Sequence, residues 1–125
     1  MIRFPYADLR GRKFPVIPLF IKKKNILRTQ ALVDSGANIS LFDKSIAEYL
    51  EVHIKAGKKI SLQGIGGKIS AYVHPVSISV ATMEFTIPVA FCERIDLSFN
   101  ILGREGFFEK FLVCFDERRR EIILK

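Results

Sequence analysis

The segment Ala31–Ala37 carries the clearest chemical signal in this sequence. An apolar run leads directly into Asp34, Ser35 and Gly36. Such a run favours a buried strand, so the acid would stand at the strand's end, where a carboxyl group can act as an acid or a base. Taken alone, Asp-Ser-Gly is more typical of an ordinary turn, because these residues form local hydrogen bonds there. A catalytic interpretation therefore needs further signals.

Other side chains with reactive or metal-binding chemistry show no such pattern. The two cysteines, Cys92 and Cys114, and the two histidines, His53 and His74, lack the spacing of a metal site. They also form no recognisable nucleophilic pair. We expect inert, half-buried thiols, no metal and no cofactor.

Two further segments supply the missing signals. Residues Gln63–Lys68 read Gln-Gly-Ile-Gly-Gly-Lys, which predicts the glycine-rich tip of a hairpin. Residues Asn100–Arg104 read Asn-Ile-Leu-Gly-Arg, a second apolar run that ends in glycine.

Together, and in this order, the three segments resemble the retropepsin-like aspartic proteases, single-domain homodimeric relatives of pepsin. In that family a strand ends in Asp-Thr/Ser-Gly-Ala, a glycine-rich flap hairpin follows, and an apolar-apolar-Gly stretch precedes a C-terminal helix. The resemblance covers roughly Val16 to Phe111. It implies a mostly-β, single-lobe acid-protease β-barrel with one or two short helices, and an aspartic endopeptidase that hydrolyses peptide or protein substrates.

The resemblance also implies roles for individual residues. Asp34 would be the catalytic aspartate, and because the chain has one such motif, Asp34 of the partner subunit must complete a water-activating pair in a homodimer. Residues that support the active-site loop would be Ser35, Gly36 and Gly103. Residues that bind substrate would be Leu32, Gly36, Ala37, Asn38, Ile65 and Ile101. The flap would comprise Gln63, Gly64, Ile65, Gly66 and Gly67.

Asn38 departs from the retroviral pattern, in which an acid usually follows the motif glycine by two residues. In those relatives the acid pairs with the arginine of the Gly-Arg step, here Arg104. Arg104 is thus expected to lack that charged partner. The chain beyond Phe111 resembles the closing hairpin of a pepsin lobe more than the short terminal strand of a retroviral protease.

Short runs of β-branched and aromatic residues, bounded by glycine, proline, asparagine or charges, predict strands along most of the chain. The predicted antiparallel pairs are Val16–Ile21 with Thr29–Val33, Lys58–Leu62 with Ile69–Val73, Val76–Val80 with Phe85–Ile87, and Leu112–Phe115 with Ile122–Leu124. The last pair could instead be one strand and a tail offered to a partner.

Two segments have helical rather than strand periodicity. In Phe42–Leu50 the apolar residues recur at helical spacing and Asp43 is a suitable N-cap. Arg104–Phe111 would place three phenylalanines on one face of a second short helix.

Composition indicates one folded, basic domain. The 125 residues include 20 Lys and Arg against 13 Asp and Glu, a net charge of +7, and 49% are hydrophobic. We place an N-terminal arm at residues 1–13 and the protease domain at residues 14–125. No apolar run approaches the ~20 residues of a membrane span, and charges crowd the N-terminus, so we expect a cytoplasmic protein without membrane contact.

Three alternatives to a protease are a nucleic-acid-binding protein, an inactive module with the protease fold, and a purely structural β domain. The basic clusters Lys22–Lys24 and Arg118–Arg120 could contact phosphates, but both fall in predicted turns and neither is interleaved with aromatic residues, so no nucleic-acid partner is expected. A catalytically weak or inactive module that uses the protease fold for dimerisation or peptide binding is the main alternative. A purely structural β domain would leave the glycine-rich hairpin unexplained.

Overall fold

The structure, a computed structural model, describes residues 1–64 and 66–125. It is mostly β, as predicted, and the predicted barrel closure stays a prediction. The strands are β1 Ile2–Pro5, β2 Ala7–Leu9, β3 Arg12–Phe14, β4 Val16–Lys22, β5 Ile26–Val33, β6 Ser40–Phe42, β7 Lys58–Gly64, β8 Gly67–Val80, β9 Met83–Phe91, β10 Ile101–Leu102, β11 Val113–Asp116 and β12 Glu121–Leu124.

Seven strands form the main sheet in the order β4-β5-β10-β6-β9-β8-β7, and β4 also pairs with β8. All four predicted hairpins are confirmed: β4 with β5, β7 with β8, β8 with β9, and β11 with β12. In β4 and β5 burial alternates along most of each strand, so one face packs on the core and the other faces solvent. Pro18 lies on the exposed face of β4.

The short strand β10 lies between β5 and β6. It belongs to the segment Asn100–Arg104 and brings that segment beside Ala31–Ala37. It runs parallel to β5, with Ile101 opposite Leu32 and Leu102 opposite Val33. Ile101 also faces Leu41 of β6 in antiparallel pairing. The ends of β5 and β10, where Asp34 and Gly103 follow, are therefore adjacent in the sheet.

The first predicted helix is confirmed as α1, Lys44–Tyr49. Asp43 is its N-cap, with a side-chain oxygen that accepts a hydrogen bond from the Ser45 amide at 3.1 Å. Ile46, Ala47 and Leu50 are buried against the main core.

The predicted second helix over Arg104–Phe111 is wrong in extent and type. Only Phe108–Lys110 is helical, as a single 3-10 turn. Gly106 has a φ of +86°, in the left-handed region, which an α-helix through this position cannot accommodate. Phe107 is nonetheless fully buried, and its ring lies 5.4 Å from that of Phe111, so these phenylalanines cluster without an α-helix.

The first thirteen residues, which the sequence placed in an arm, are built into the fold. Strand β1 pairs with β12, giving a three-stranded sheet in the order β1-β12-β11, and β2 and β3 form a hairpin of their own. Arg3 contacts Glu121 at 2.6 Å across the β1–β12 pair. This pairing joins residues from opposite ends of the sequence.

Tyr6 follows β1 and provides a test of this packing. Its hydroxyl donates to Glu117 Oε1 at 3.0 Å, and the residue is buried. Burial and the adjacent Glu117 carboxylate raise the pKa of Tyr6 from 10.0 to about 12.

We therefore expect Tyr6 to stabilise the fold fully below pH 10 and progressively less as the pH rises to 12, because the unfolded chain ionises first. The raised pKa corresponds to roughly 3 kcal/mol of unfolding free energy lost across that interval. Urea unfolding of wild type and Tyr6→Phe between pH 8 and pH 12 measures this loss, and Tyr6→Phe should show a shallower decline. Tyr49→Phe, at an exposed tyrosine, is the control, and equal slopes for wild type and Tyr6→Phe would contradict the assignment.

No helix in the described ranges 1–64 and 66–125 is long and apolar enough to cross a membrane.

Candidate active site

Asp34 stands at the point where β5 ends, as its sequence context predicted. Its amide donates to the Leu102 carbonyl at 3.0 Å, which extends the parallel pairing of β5 with β10 by one residue. The side chain is half-buried, and Oδ1 accepts a hydrogen bond from the Gly36 amide at 2.8 Å. Within the described part of the chain, Oδ2 has no hydrogen-bond partner, so this oxygen is available to a water molecule or a second carboxyl group.

The turn after Asp34 is compact because Gly36 has no side chain. The Ala37 amide donates to the Asp34 carbonyl at 3.2 Å, which closes the turn. A Cβ at Gly36 would lie 3.2 Å from Asp34 Oδ1, closer than side-chain carbons normally approach. Glycine at this position therefore lets the carboxylate accept the backbone hydrogen bond without crowding.

The segment after β10 braces this turn through its backbone. The Arg104 amide donates to the Ala37 carbonyl at 2.8 Å, and the Glu105 amide donates to the Asn38 carbonyl at 2.8 Å. Gly103, the residue before Arg104, is buried. A Cβ at Gly103 would lie 2.6 Å from the Ile39 carbonyl carbon and oxygen. The two sequence motifs are thus in direct backbone contact.

Ser40 supports this arrangement and was not singled out from the sequence. It is completely buried, and its hydroxyl oxygen accepts a hydrogen bond from the Gly103 amide at 3.0 Å. A serine between Ile39 and Leu41 is a weak sequence signal for a buried polar contact, because the same pattern is typical of a strand with one solvated face.

Asn100 and Asp43 form a second support, and sequence reasoning singled out each residue separately but missed their contact. The Asn100 side chain donates to the Gln30 carbonyl at 3.1 Å and accepts from the Asp43 amide at 2.9 Å, so it ties β5 to the start of α1. Burial alone would raise the pKa of Asp43. Hydrogen bonds from Ser45 and from the Leu97 amide outweigh burial and hold the pKa below its ordinary value.

The structure brings together most of the residues to which the resemblance assigned roles. Leu32 and Ile101 are paired neighbours and are half-buried, Ala37 is half-buried, and Ser35, Gly36 and Asn38 are exposed. The structure describes all of the predicted flap residues at the β7–β8 tip except Ile65. Gly64 pairs with Gly67, and Gln63, Gly66 and Gly67 are exposed. Ile65 lies outside the described residues. Among the residues that are described, no hydrogen bond joins this tip to the Asp34 turn.

Four surface clefts surround the described fold, and Asp34 lines none of them. The nearest along the chain, of about 370 Å³, is formed by Asn38 and Arg104 together with Glu105, Phe108 and Glu109. Among residues 1–64 and 66–125, no three His, Cys, Asp or Glu side chains are grouped to hold a metal ion.

Comparisons with known proteins identify solved structures with the same fold. No curated protein matches the sequence significantly. Among solved structures, a retropepsin-like aspartic protease from Rickettsia conorii matches 99% of this chain and 99% of its own, with a TM-score of 0.74 and 22% identity. EIAV protease, solved with the inhibitor HBY-793, matches 83% of this chain and 93% of its own, with a TM-score of 0.61 and 20% identity.

The sequence model of a family described as aspartyl protease matches residues 21–105, which is more than half of the chain. That range begins in β4, contains Asp34 and the β7–β8 hairpin, and ends just beyond Gly103. The chain therefore belongs to the aspartyl protease family and has the retropepsin-like fold.

Proposed function

We propose that the protein is an aspartic endopeptidase whose active site forms between two copies of the chain. The observation that carries this proposal is the half-buried Asp34 carboxyl group, which is held in a braced turn and has one oxygen without a partner in the described residues. Asp34 of the partner subunit supplies the second carboxyl group through a twofold axis beside this turn.

Peptide hydrolysis needs a base to activate water and an acid to protonate the leaving nitrogen. Two carboxyl groups that share one proton provide both. Two ionised carboxylates ~3 Å apart would repel by roughly 5 kcal/mol at an effective dielectric constant of ~20, so the pair keeps one proton between them. The ionised Asp34 takes a proton from water as the water oxygen bonds to the carbonyl carbon, and the protonated partner gives its proton to the carbonyl oxygen. The proton that Asp34 gained then passes to the amide nitrogen as the C–N bond breaks. A hydroxyl proton of the tetrahedral intermediate returns to the partner, so the pair again holds one proton.

The residues around Asp34 fit the roles that the resemblance implied. Ser35 and Gly36 are exposed, so they are free to contact the same loop of a second subunit. Leu32 and Ile101 are adjacent and half-buried, and they would line apolar pockets beside the scissile bond. Asn38 and Ala37 would contact the substrate backbone, and Gly103 supports the loop from behind.

The β7–β8 hairpin is the proposed flap. Its inward face packs Ile60, Leu62 and Ile69 against a small apolar cluster around Ala71, Ala90 and Cys92, while Gly66 and Gly67 at its tip are exposed. A hairpin anchored at its base and rich in glycine at its tip suits a lid that covers an extended peptide.

Dimerisation tests this proposal directly. Because one chain holds only one Asp34, a monomer cannot hydrolyse peptides by this mechanism. We expect the initial rate to rise with the square of protein concentration below the dimer dissociation constant, and linearly above it. Rate measurements on a quenched peptide, paired with sedimentation at the same concentrations, check this. A monomer with full activity would contradict the proposal, and a stable dimer without activity would favour the peptide-binding module.

A further inference from the structure

A cleft of about 710 Å³ lies between the β2–β3 hairpin and the chain that enters β10. Its lining includes Arg10 and Arg12 of the hairpin, Phe14 at the hairpin's end, and Phe99 just before β10. The functions assigned above make no use of this cleft.

The cleft is next to the proposed active site. In the β4–β5 pair Val16 lies opposite Leu32, and the Val33 amide donates to the Pro15 carbonyl at 2.9 Å. Continuation of that antiparallel register places Phe14 beside Asp34. On the other side of β5 the Leu32 amide donates to the Asn100 carbonyl at 2.7 Å, so Phe99 is adjacent as well.

The inner part of the cleft is apolar. The rings of Phe14 and Phe99 lie 5.4 Å apart and are tilted by 51°, and both residues are half-buried. Gln30, two residues before Leu32 on the exposed face of β5, also lines the cleft. Since side chains alternate along a strand, Gln30, Leu32 and Asp34 lie on the same side, which connects the cleft with the candidate catalytic carboxyl group.

The outer part of the cleft is positively charged. Arg10 and Gly11 form the two-residue hairpin turn, with φ values of 54° and 80°. Asp8 also lines the cleft, but its carboxylate forms a salt bridge with Lys13 Nζ at 3.3 Å and accepts a hydrogen bond from the Gly11 amide at 3.1 Å. Neither arginine has a carboxylate within 4.0 Å among the described residues.

We propose that this cleft is a substrate subsite that selects an acidic side chain, glutamate or aspartate, near the scissile bond. The aromatic pair would hold the methylene groups, and the two guanidinium groups would bind the carboxylate. This inference rests on the proposed function. Phe14 lies beside Asp34, and Arg12 is two residues, about 7 Å, further along β3. An extended peptide also advances about 3.3 Å per residue, so the acidic residue would lie about two to four residues from the scissile bond.

Peptides that differ only by glutamate or glutamine at each of these positions test the proposal, because the two side chains have the same size. We expect glutamate to raise kcat/KM by about 5- to 10-fold at one or more positions, the size of an exposed, charge-assisted contact. The preference should weaken in 0.5 M NaCl, because salt screens exposed charges.

The charge-reversed variant Arg10→Glu/Arg12→Glu should lose the preference for glutamate and prefer lysine at the same position. Arg118→Glu/Arg119→Glu, an equal charge change in the β11–β12 turn, should retain the preference for glutamate. If wild type cleaves the glutamate and glutamine peptides equally well, the subsite is overturned and the proposed peptidase function stands. If it cleaves none of the peptides at any protein concentration, both are overturned.

Discussion

Asp34→Asn should abolish peptide hydrolysis while the fold and the dimer survive. An amide cannot take a proton from water, so the base is lost from both subunits at once. We expect kcat to fall by roughly 10³-fold or more. The amide oxygen can still accept the hydrogen bond from the Gly36 backbone, so the turn should keep its shape.

The matched control is Glu84→Gln, the same carboxylate-to-amide change on β9. Glu84 is exposed, pairs with Ser79 near the β8–β9 turn, and is remote in the sheet from Asp34. Its variant should hydrolyse peptides at the wild-type rate. Circular dichroism and sedimentation should show that the Asp34→Asn variant is folded and has the same oligomeric state as wild type. An Asp34→Asn protein that keeps more than a few per cent of the wild-type rate would contradict the carboxyl-pair mechanism.

Gly103→Ala should cause a large loss of stability. The new Cβ would lie 2.6 Å from the carbonyl carbon and oxygen of Ile39 and 2.9 Å from the Ala37 carbonyl oxygen. All three are backbone atoms of the loop that follows Asp34, and they cannot rotate away as a side chain would. We expect a loss of about 3 kcal/mol or more in unfolding free energy, measured by urea denaturation.

Gly66→Ala is the control for this substitution, because a Cβ there has no heavy atom within 4 Å. Its unfolding free energy should stay within about 0.5 kcal/mol of wild type. Where Gly103→Ala still folds, its activity should also fall, because the backbone that braces the Asp34 turn must move. Equal stability of the two variants would show that the β10 segment does not pack tightly against the Asp34 loop.

The predictions that succeeded from sequence are those governed by local patterns. Short runs of β-branched and aromatic residues, separated by polar, charged or glycine-rich turns, predicted the four hairpins, because such runs favour strands and such turns reverse the chain. Asp43 ahead of the helical spacing predicted α1, because a side-chain oxygen can satisfy free amides at a helix start.

The predictions that failed involved competition between local and distant contacts. Three phenylalanines over Arg104–Phe111 have helical spacing, yet Gly106 adopts a left-handed φ and the segment folds as turns around the buried Phe107. Residues 1–13 are predicted to be an arm, yet β2 and β3 form a local hairpin and β1 joins a sheet. The partner of β1 is β12, and no local pattern in the first residues identifies a strand at the far end of the chain.

The candidate active site likewise combines locally predictable features with features that depend on distant contacts. The sequence by itself determined the candidate residue, because Asp-Ser-Gly directly after an apolar strand, followed in order by the two later glycine segments, carries the resemblance that assigns the catalytic role to Asp34. Only the tertiary structure decided how that acid is held. Parallel pairing of β5 with β10, the buried hydroxyl of Ser40, and the close approach of Gly103 to Ile39 join residues far apart in sequence. Such contacts depend on which strands become neighbours, and the packing of the whole core sets that order, whereas spacing within a segment reports only on the segment itself.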